Sequence, residues 1–239
     1  MSERHTVELV RSEPLSPTVK LLVWRDGEGR QLSFVAGQWF NFDVPTPAGV
    51  VRRAYSIASA PNAERPDQFE IAVTRVPEIG NASLALHELA SGMRLTIDGP
   101  HGFFTREQAL HLPALFVGTG TGVCPLRAMI QDELREPSGP PLRLLFGCRT
   151  EADILWKDQL RTWAAAHPRF AFDVTLSRPP ADFTGLRGYV QHHLPALLAR
   201  GERPQIYVCG LTKMVSEVRR VAKEQLGYDR RAIHSERYD

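Results

Sequence analysis

Gly118-Thr119-Gly120-Thr121-Gly122 is the segment of this 239-residue sequence with the most direct chemical meaning. It follows the apolar run ALFV and opens into PLRAMIQDELRE, which has helical periodicity. Glycines at such a strand-to-helix turn let the backbone approach a pyrophosphate. The helix N-terminus then adds unpaired N–H groups and the positive end of its dipole. The spacing is G-x-G-x-G followed by Pro125 rather than the full G-x-G-x-x-G, and glycine-rich turns also arise for conformational reasons alone. The flanking strand and helix favour phosphate binding. Two other chemistries have less support. Cys124, Cys148 and Cys209 are scattered, and a plant-type [2Fe–2S] cluster needs four cysteines at set spacing, so any iron–sulfur centre must belong to a separate protein. The eight histidines show no metal-ligand spacing, and no metal is expected.

The elements that must position these residues fall into two stretches of different character. From residue 4 to about residue 100, HTVELVRSE, TVKLLVWR, QWFNFDVP, FEIAVTRV and MRLTIDG read as short alternating strands between Gly and Pro turns. SLALHELA is the one helix-like interruption. Strands spaced in this way predict a small antiparallel β-barrel of Greek-key type. After His111 the pattern changes. ALFVGTG, LRLLFGCR, FAFDVTLS and QIYVCG read as buried strands, alternating with helices over PLRAMIQDELRE, ILWKDQLRTWAAAH, YVQHHLPALLAR and KMVSEVRRVAKEQLG. That alternation predicts a doubly wound α/β domain with a parallel sheet. We place the domains at residues 1–108 and 109–239.

Arg53-Ala54-Tyr55-Ser56 gives the first stretch a chemistry. On its own this is an exposed strand with an ordinary core tyrosine. In company with the rest of the chain it resembles the R-x-Y-S signature of the ferredoxin–NADP reductase superfamily. The resemblance runs the length of the sequence in order: Gly37-Gln38, the signature itself, Gly80-Asn81-Ala82-Ser83 as a G-x-x-S segment, and Gly99-Pro100-His101-Gly102-Phe103. It continues through Gly118 to Pro125, Asp153-Ile154-Leu155, Cys209-Gly210 and the terminal Glu236-Arg237-Tyr238. It implies an FAD-binding barrel followed by an NAD(P)-binding domain. Arg53 would meet the FAD pyrophosphate, as suits a guanidinium, and Tyr55 would lie flat against the flavin. Ser56 would sit near flavin N5, with Gly80, Asn81, Ala82 and Ser83 holding the pyrophosphate from the other side. Ala72, Val73 and Thr74 count among the cofactor-binding residues. Gly118, Gly120, Thr121, Gly122 and Gly210 would bind the nicotinamide dinucleotide. Cys209, Glu236 and Tyr238 would line the nicotinamide pocket with Ser56, and Tyr238 would stack on the flavin. One extra residue, Asp239, departs from the plant-type pattern, and a solvated tail is the ordinary fate of a chain end.

Nucleotide choice rests on what meets the ribose 2′ position. Ser177-Arg178 and Arg187-Gly188-Tyr189 resemble the Ser-Arg and basic-x-Tyr places of NADP-dependent members, with Tyr189 against the adenine. NADH-using relatives also carry Ser-Arg there, so NADP(H) is preferred and NAD(H) is the alternative. The expected activity is transfer of hydride between NADP(H) and FAD, and of single electrons to or from a ferredoxin-like protein. The rival readings are an NADH-dependent reductase component of an oxygenase system and a non-catalytic flavin- or nucleotide-binding redox sensor.

Bulk properties narrow the classes further. A formal net charge of +2 with no basic run argues against nucleic acid as a partner. No apolar stretch approaches the roughly 20 residues of a membrane span, and the polar start MSERHTVELV does not read as a signal peptide. The cysteines suggest no disulfide framework, and a cytoplasmic location is expected.

Overall fold

The computed structural model describes residues 3–76, 81–106, 110–199 and 203–238. It divides into two compact units, Met1–Thr105 with Arg127–Asp132, and Arg106–Leu126 with Glu133–Asp239.

The first unit is built on β1 (Glu3–Pro14), β2 (Val19–Asp26), β3 (Trp39–Thr46), β4 (Gly49–Ser56), β5 (Gln68–Thr74) and β6 (Arg94–His101). They form one antiparallel sheet in the order β4-β3-β6-β1-β2-β5. Alternation sends Phe40, Phe42 and Val44 of β3 inward, where they join Trp24, Phe69, Ile71 and Ile97 in a continuous core. Among the described residues no ladder joins β4 to β5, so the antiparallel barrel is an open half-barrel. The helix α1 (Asn81–Glu88) contributes Ala82 and Leu86 to that core. Five strands are evident from alternation and the structure adds a sixth. The sixth, β4, carries the Arg53–Ser56 segment read above as an exposed strand; it is an edge strand whose side chains are mostly exposed, so it has no apolar alternation to read.

In the second unit a parallel sheet runs β10-β9-β8-β7-β11-β12. Its strands are β7 (Ala114–Thr119), β8 (Leu142–Cys148), β9 (Phe170–Leu176), β10 (Leu186–Arg187), β11 (Gln205–Leu211) and β12 (Ile233–Tyr238). Their helices are α2 (Val123–Glu133), of which Arg127–Asp132 group with the first unit, α3 (Lys157–Ala166), α4 (Leu194–Leu198) and α5 (Thr212–Arg220). Strand order advances from β7 through β8 and β9 on one side and through β11 and β12 on the other. The reversal therefore falls beside β7, and the crevice at the carboxyl ends of such strands is where this architecture binds ligands. The continuous apolar runs in β7 and β8 are fully buried, as a parallel sheet covered on both faces requires.

One reading needs correction here. The helix expected over YVQHHLPALLAR is a 3₁₀ turn at Val190–His192 followed by the short α4, because Pro195 can enter only a helix's first turn. The segment that carries Glu236 and Tyr238 forms a sixth parallel strand, Ile233–Tyr238, beside β11. No helix among the described residues is long and apolar enough to cross a membrane.

Candidate functional site

Within the first unit, β4 presents the Arg53 to Ser56 segment along the sheet edge. Arg53 is exposed and donates from Nη1 to the Arg52 carbonyl at 2.9 Å. It has no carboxylate partner among the described residues, which suits a cation kept for a phosphate. Tyr55 points to the opposite face from Ser56 and packs edge-on against Phe42, with ring centroids 5.6 Å apart at 84°. Burial pushes its hydroxyl up to about 12, against the pull of Arg53, so the ring stays neutral and offers a flat surface. Ser56 pairs across the ladder with Trp39. That outer face continues from Trp39, whose ring is tilted by 38° against His101 with centroids 4.6 Å apart, through the His101–Asp98 contact at 2.7 Å to the Asp98–Arg52 ion pair at 2.6 Å. This polar neighbourhood of Ser56 is not visible in the sequence, since its members lie dozens of residues apart.

The G-x-x-S segment is partly redirected. Ser83 is buried, and its hydroxyl accepts from Val76 N–H at 3.1 Å and lies 3.4 Å from the Val76 carbonyl. It ties the start of α1 to the end of β5 rather than standing open. Ala82 is core. Gly80 and the Asn81 side chain lie outside the described residues. Val73 points into the core with Phe69 and Ile71, so it can meet a ligand only through backbone atoms, while Ala72, also buried, faces the other side of β5. Thr74 is half-buried at the end of β5.

In the second unit the glycines of the loop do separate jobs. Gly118 ends the buried part of β7, and Gly120 to Gly122 form a 3₁₀ turn leading into α2. Gly120 adopts φ +53° with nothing within 4 Å of where a Cβ would stand. That is the bare backbone a phosphate can approach. Gly122 is pressed on β11: an added Cβ would stand 2.4 Å from the Cys209 carbonyl oxygen and 2.7 Å from Gly210 Cα. Gly210 itself has φ +147° and abuts Thr119. The carboxyl ends of β7 and β11 thus interlock through glycines. Thr121 lies half-buried between them in sequence.

Cys209, Glu236 and Tyr238 come together. The β11–β12 register places Cys209 beside Glu236 and Leu211 beside Tyr238, and the Cys209 thiol lies 3.9 Å from Glu236 Oε1. Glu236 and Tyr238, two apart on a strand, share a face. Cys209 is fully buried. Burial and then the Glu236 carboxylate hold its thiol well above the ordinary range, with the Tyr238 hydrogen bond pulling the other way. A neutral thiol there packs and positions; it is no nucleophile.

At the carboxyl ends of β8 and β9 lies an open groove of ≈ 720 Å³ whose wall includes Thr150, Glu151, Arg178, Asp182 and Phe183. Arg178 is exposed and its guanidinium has no partner among the described residues. Ser177 turns back instead, its hydroxyl donating to the Cys148 carbonyl at 3.4 Å beside its own N–H at 3.0 Å. Arg187 is exposed on β10 but bonded to loop carbonyls, and Tyr189 is 61% exposed, free to offer a ring face. A smaller pocket of ≈ 280 Å³ beside Arg219, Lys223, Arg230 and Ile233 holds none of the candidate residues. Among the described residues no three His, Cys, Asp or Glu side chains cluster as a metal site would require.

Comparison with known proteins agrees with this division of labour. Residues 6–105 match the family model of the oxidoreductase FAD-binding domain, and residues 116–220 that of the oxidoreductase NAD-binding domain. The chain is 45% identical over 244 residues to ferredoxin–NADP reductase B of Sorangium cellulosum, covering 100% of this chain and 99% of the relative. It is 29% identical to the anthranilate 1,2-dioxygenase electron transfer component of Acinetobacter baylyi, over 87% of this chain and 59% of that longer protein. Among solved structures, the Amycolatopsis cytochrome P450 reductase GcoB superposes with a TM-score of 0.86 at 27% identity, over 99% of this chain and 70% of the other.

Proposed function

This chain belongs to the ferredoxin–NADP reductase family, and on that premise we propose that it exchanges hydride with NADP(H) and single electrons with a separate ferredoxin-like protein. It is an oxidoreductase with an FAD-binding and an NAD-binding domain. Bound FAD would supply the conversion between a two-electron hydride and single electrons, which no side chain here can perform.

The chain's own residues bind, orient and exclude water. Arg53, with no carboxylate partner among the described residues, offers its guanidinium to the FAD pyrophosphate, and Tyr55 provides the flat face for the ring system. Gly120 leaves bare backbone for the nucleotide's phosphates. Arg178 meets a ribose 2′-phosphate, and Tyr189 stacks on the adenine. Cys209, Glu236 and Tyr238 form the nicotinamide pocket, where Glu236 can accept a hydrogen bond from a carboxamide. Ser56 offers a hydroxyl at the end of β4 as a hydrogen-bond donor toward flavin N5. The observation that carries the reading is the glycine loop at the sheet's switch point, with Cys209 and Glu236 side by side on the next two strand ends.

Anaerobic stopped-flow reduction by NADPH and NADH, followed by reoxidation with a ferredoxin, tests it. Faster reduction by NADPH with transfer to ferredoxin is expected, and equal rates with both nucleotides would sink the 2′-phosphate role of Arg178. A second reading, a reductase component of an oxygenase system using NADH, is favoured by the 29% identity to the dioxygenase electron transfer component. Preference for NADH and for an oxygenase's own carrier would select it.

A further inference from the structure

Arg187 reads from the sequence as a ribose phosphate ligand, yet its Nη2 donates to three backbone carbonyls of one loop. These are Pro180 at 3.2 Å, Ala181 at 2.9 Å and Phe183 at 2.7 Å. The Phe183 N–H also donates to the Pro180 carbonyl at 3.2 Å, so the loop closes on itself around the guanidinium. One amino group has two N–H bonds, so three carbonyls leave Nη2 nothing to offer a ligand. Nε and Nη1 keep three N–H bonds, but the guanidinium is planar and rigid, so fixing Nη2 fixes their direction as well. The far end of β10 is held too: the Thr175 hydroxyl, fully buried, donates to the Gly188 carbonyl at 2.9 Å and lies 2.9 Å from His193 Nε2.

The loop so held forms part of the groove wall, with Arg178, Asp182 and Phe183 on it. Neither the Arg178 nor the Asp182 side chain has a partner among the described residues. We propose that Arg187 is a positioning residue that holds the Pro180–Phe183 loop in place. Arg178, with the Asp182 carboxylate lining the same groove, then chooses between a phosphorylated and a free ribose 2′ position, and Arg187 touches neither. The inference rests on the nucleotide reading of this groove given above.

Three variants of the FAD-loaded enzyme separate the roles, assayed with NADPH and NADH against ferricyanide as a small one-electron acceptor. Arg187→Gln is expected to raise KM for both nucleotides by the same factor, about fivefold to tenfold, with less effect on kcat. Arg178→Gln is expected to raise KM for NADPH alone, by about tenfold or more. Asp182→Asn is expected to lower KM for NADPH by a few-fold and leave NADH unchanged. A loss in R187Q confined to NADPH would overturn the proposal, because Arg187 would then be binding the phosphate. An unchanged nucleotide ratio in R178Q would instead overturn the assignment of the groove to the 2′ position. Amide exchange at Phe183 reports on the loop without any nucleotide: it should quicken in R187Q and not in R178Q, and no change in R187Q would refute the clamp. If R187Q does not fold, Arg187→Lys carries the comparison. A charge acting on phosphate survives in it and leaves both KM values near wild type, whereas an equal rise for both supports the clamp.

Discussion

Replacing Gly122 with alanine tests whether the loop of the second unit is held by backbone-to-backbone contact. The new Cβ would stand 2.4 Å from the Cys209 carbonyl oxygen, 2.7 Å from the Cys209 carbonyl carbon and 2.7 Å from Gly210 Cα. All three are backbone atoms, so no side chain can swing aside. Either α2 or the end of β11 must move. Overpacking a well-packed site costs about 1–3 kcal/mol, and an obstacle made only of backbone puts this case at the top of that range, about 3 kcal/mol. Gly120→Ala is the control: its Cβ meets nothing within 4 Å, leaving only the left-handed φ of +53°, which costs about 1 kcal/mol. The assay is thermal unfolding of both variants alongside KM for NADPH. At about 2–4 °C per kcal/mol, Gly122→Ala should lower the transition of the second unit by about 6–12 °C and raise KM. Gly120→Ala should lower it by only a few degrees. If Gly122→Ala melts within about 2 °C of wild type, the interlock of β7 and β11 described above is wrong.

Four further outcomes are expected. Ser56→Ala should slow hydride transfer by about tenfold or more in single-turnover measurements if its hydroxyl acts at N5, and a wild-type rate would remove it from the site. Asp26 is buried, which alone would raise its carboxyl. The Arg30 hydrogen bond, the N–H groups of Glu28 and Arg30, and His5 outweigh this and lower it from 3.8 to about 2. That depression contributes about 2 kcal/mol, fully present above pH 4 and lost as pH falls toward 2; acid unfolding of Asp26→Asn should lack that step. Arg106 and Glu133 form a buried ion pair, Nε to Oε1 at 2.6 Å, so Glu133→Leu should cost about 3–5 kcal/mol by stranding the cation. Adding Arg106→Met should recover much of that in a double-mutant cycle. Cys124, Cys148 and Cys209 are buried, with burial pushing the Cys148 thiol up to about 12. A thiol reagent should therefore find none of them in the native protein and all three after unfolding.

The parts of the site that were legible in the sequence are those written in adjacent residues. The glycine loop, the Arg53 to Ser56 signature and the change from alternating to continuous apolar strands all have local causes. Edge position hid β4 from periodicity, since a strand with one neighbour and exposed side chains carries no period to detect, and only its Arg53–Ser56 segment read as a strand. The Cys209–Glu236 contact joins residues 27 apart and needs the parallel register of β11 and β12 to exist at all. Side-chain direction was also beyond reach. Nothing in Gly-Asn-Ala-Ser says that the Ser83 hydroxyl is used by Val76, and nothing in Arg187-Gly188-Tyr189 says that the guanidinium turns to Pro180, Ala181 and Phe183.

The central claim, that this chain carries FAD and moves electrons between NADP(H) and a one-electron protein carrier, is tested most directly by one anaerobic titration. Protein loaded with FAD should be yellow, bleach on addition of one equivalent of NADPH, and recover its colour as two equivalents of oxidised ferredoxin are reduced. A protein that retains no FAD, or whose colour NADPH does not bleach, would contradict the account.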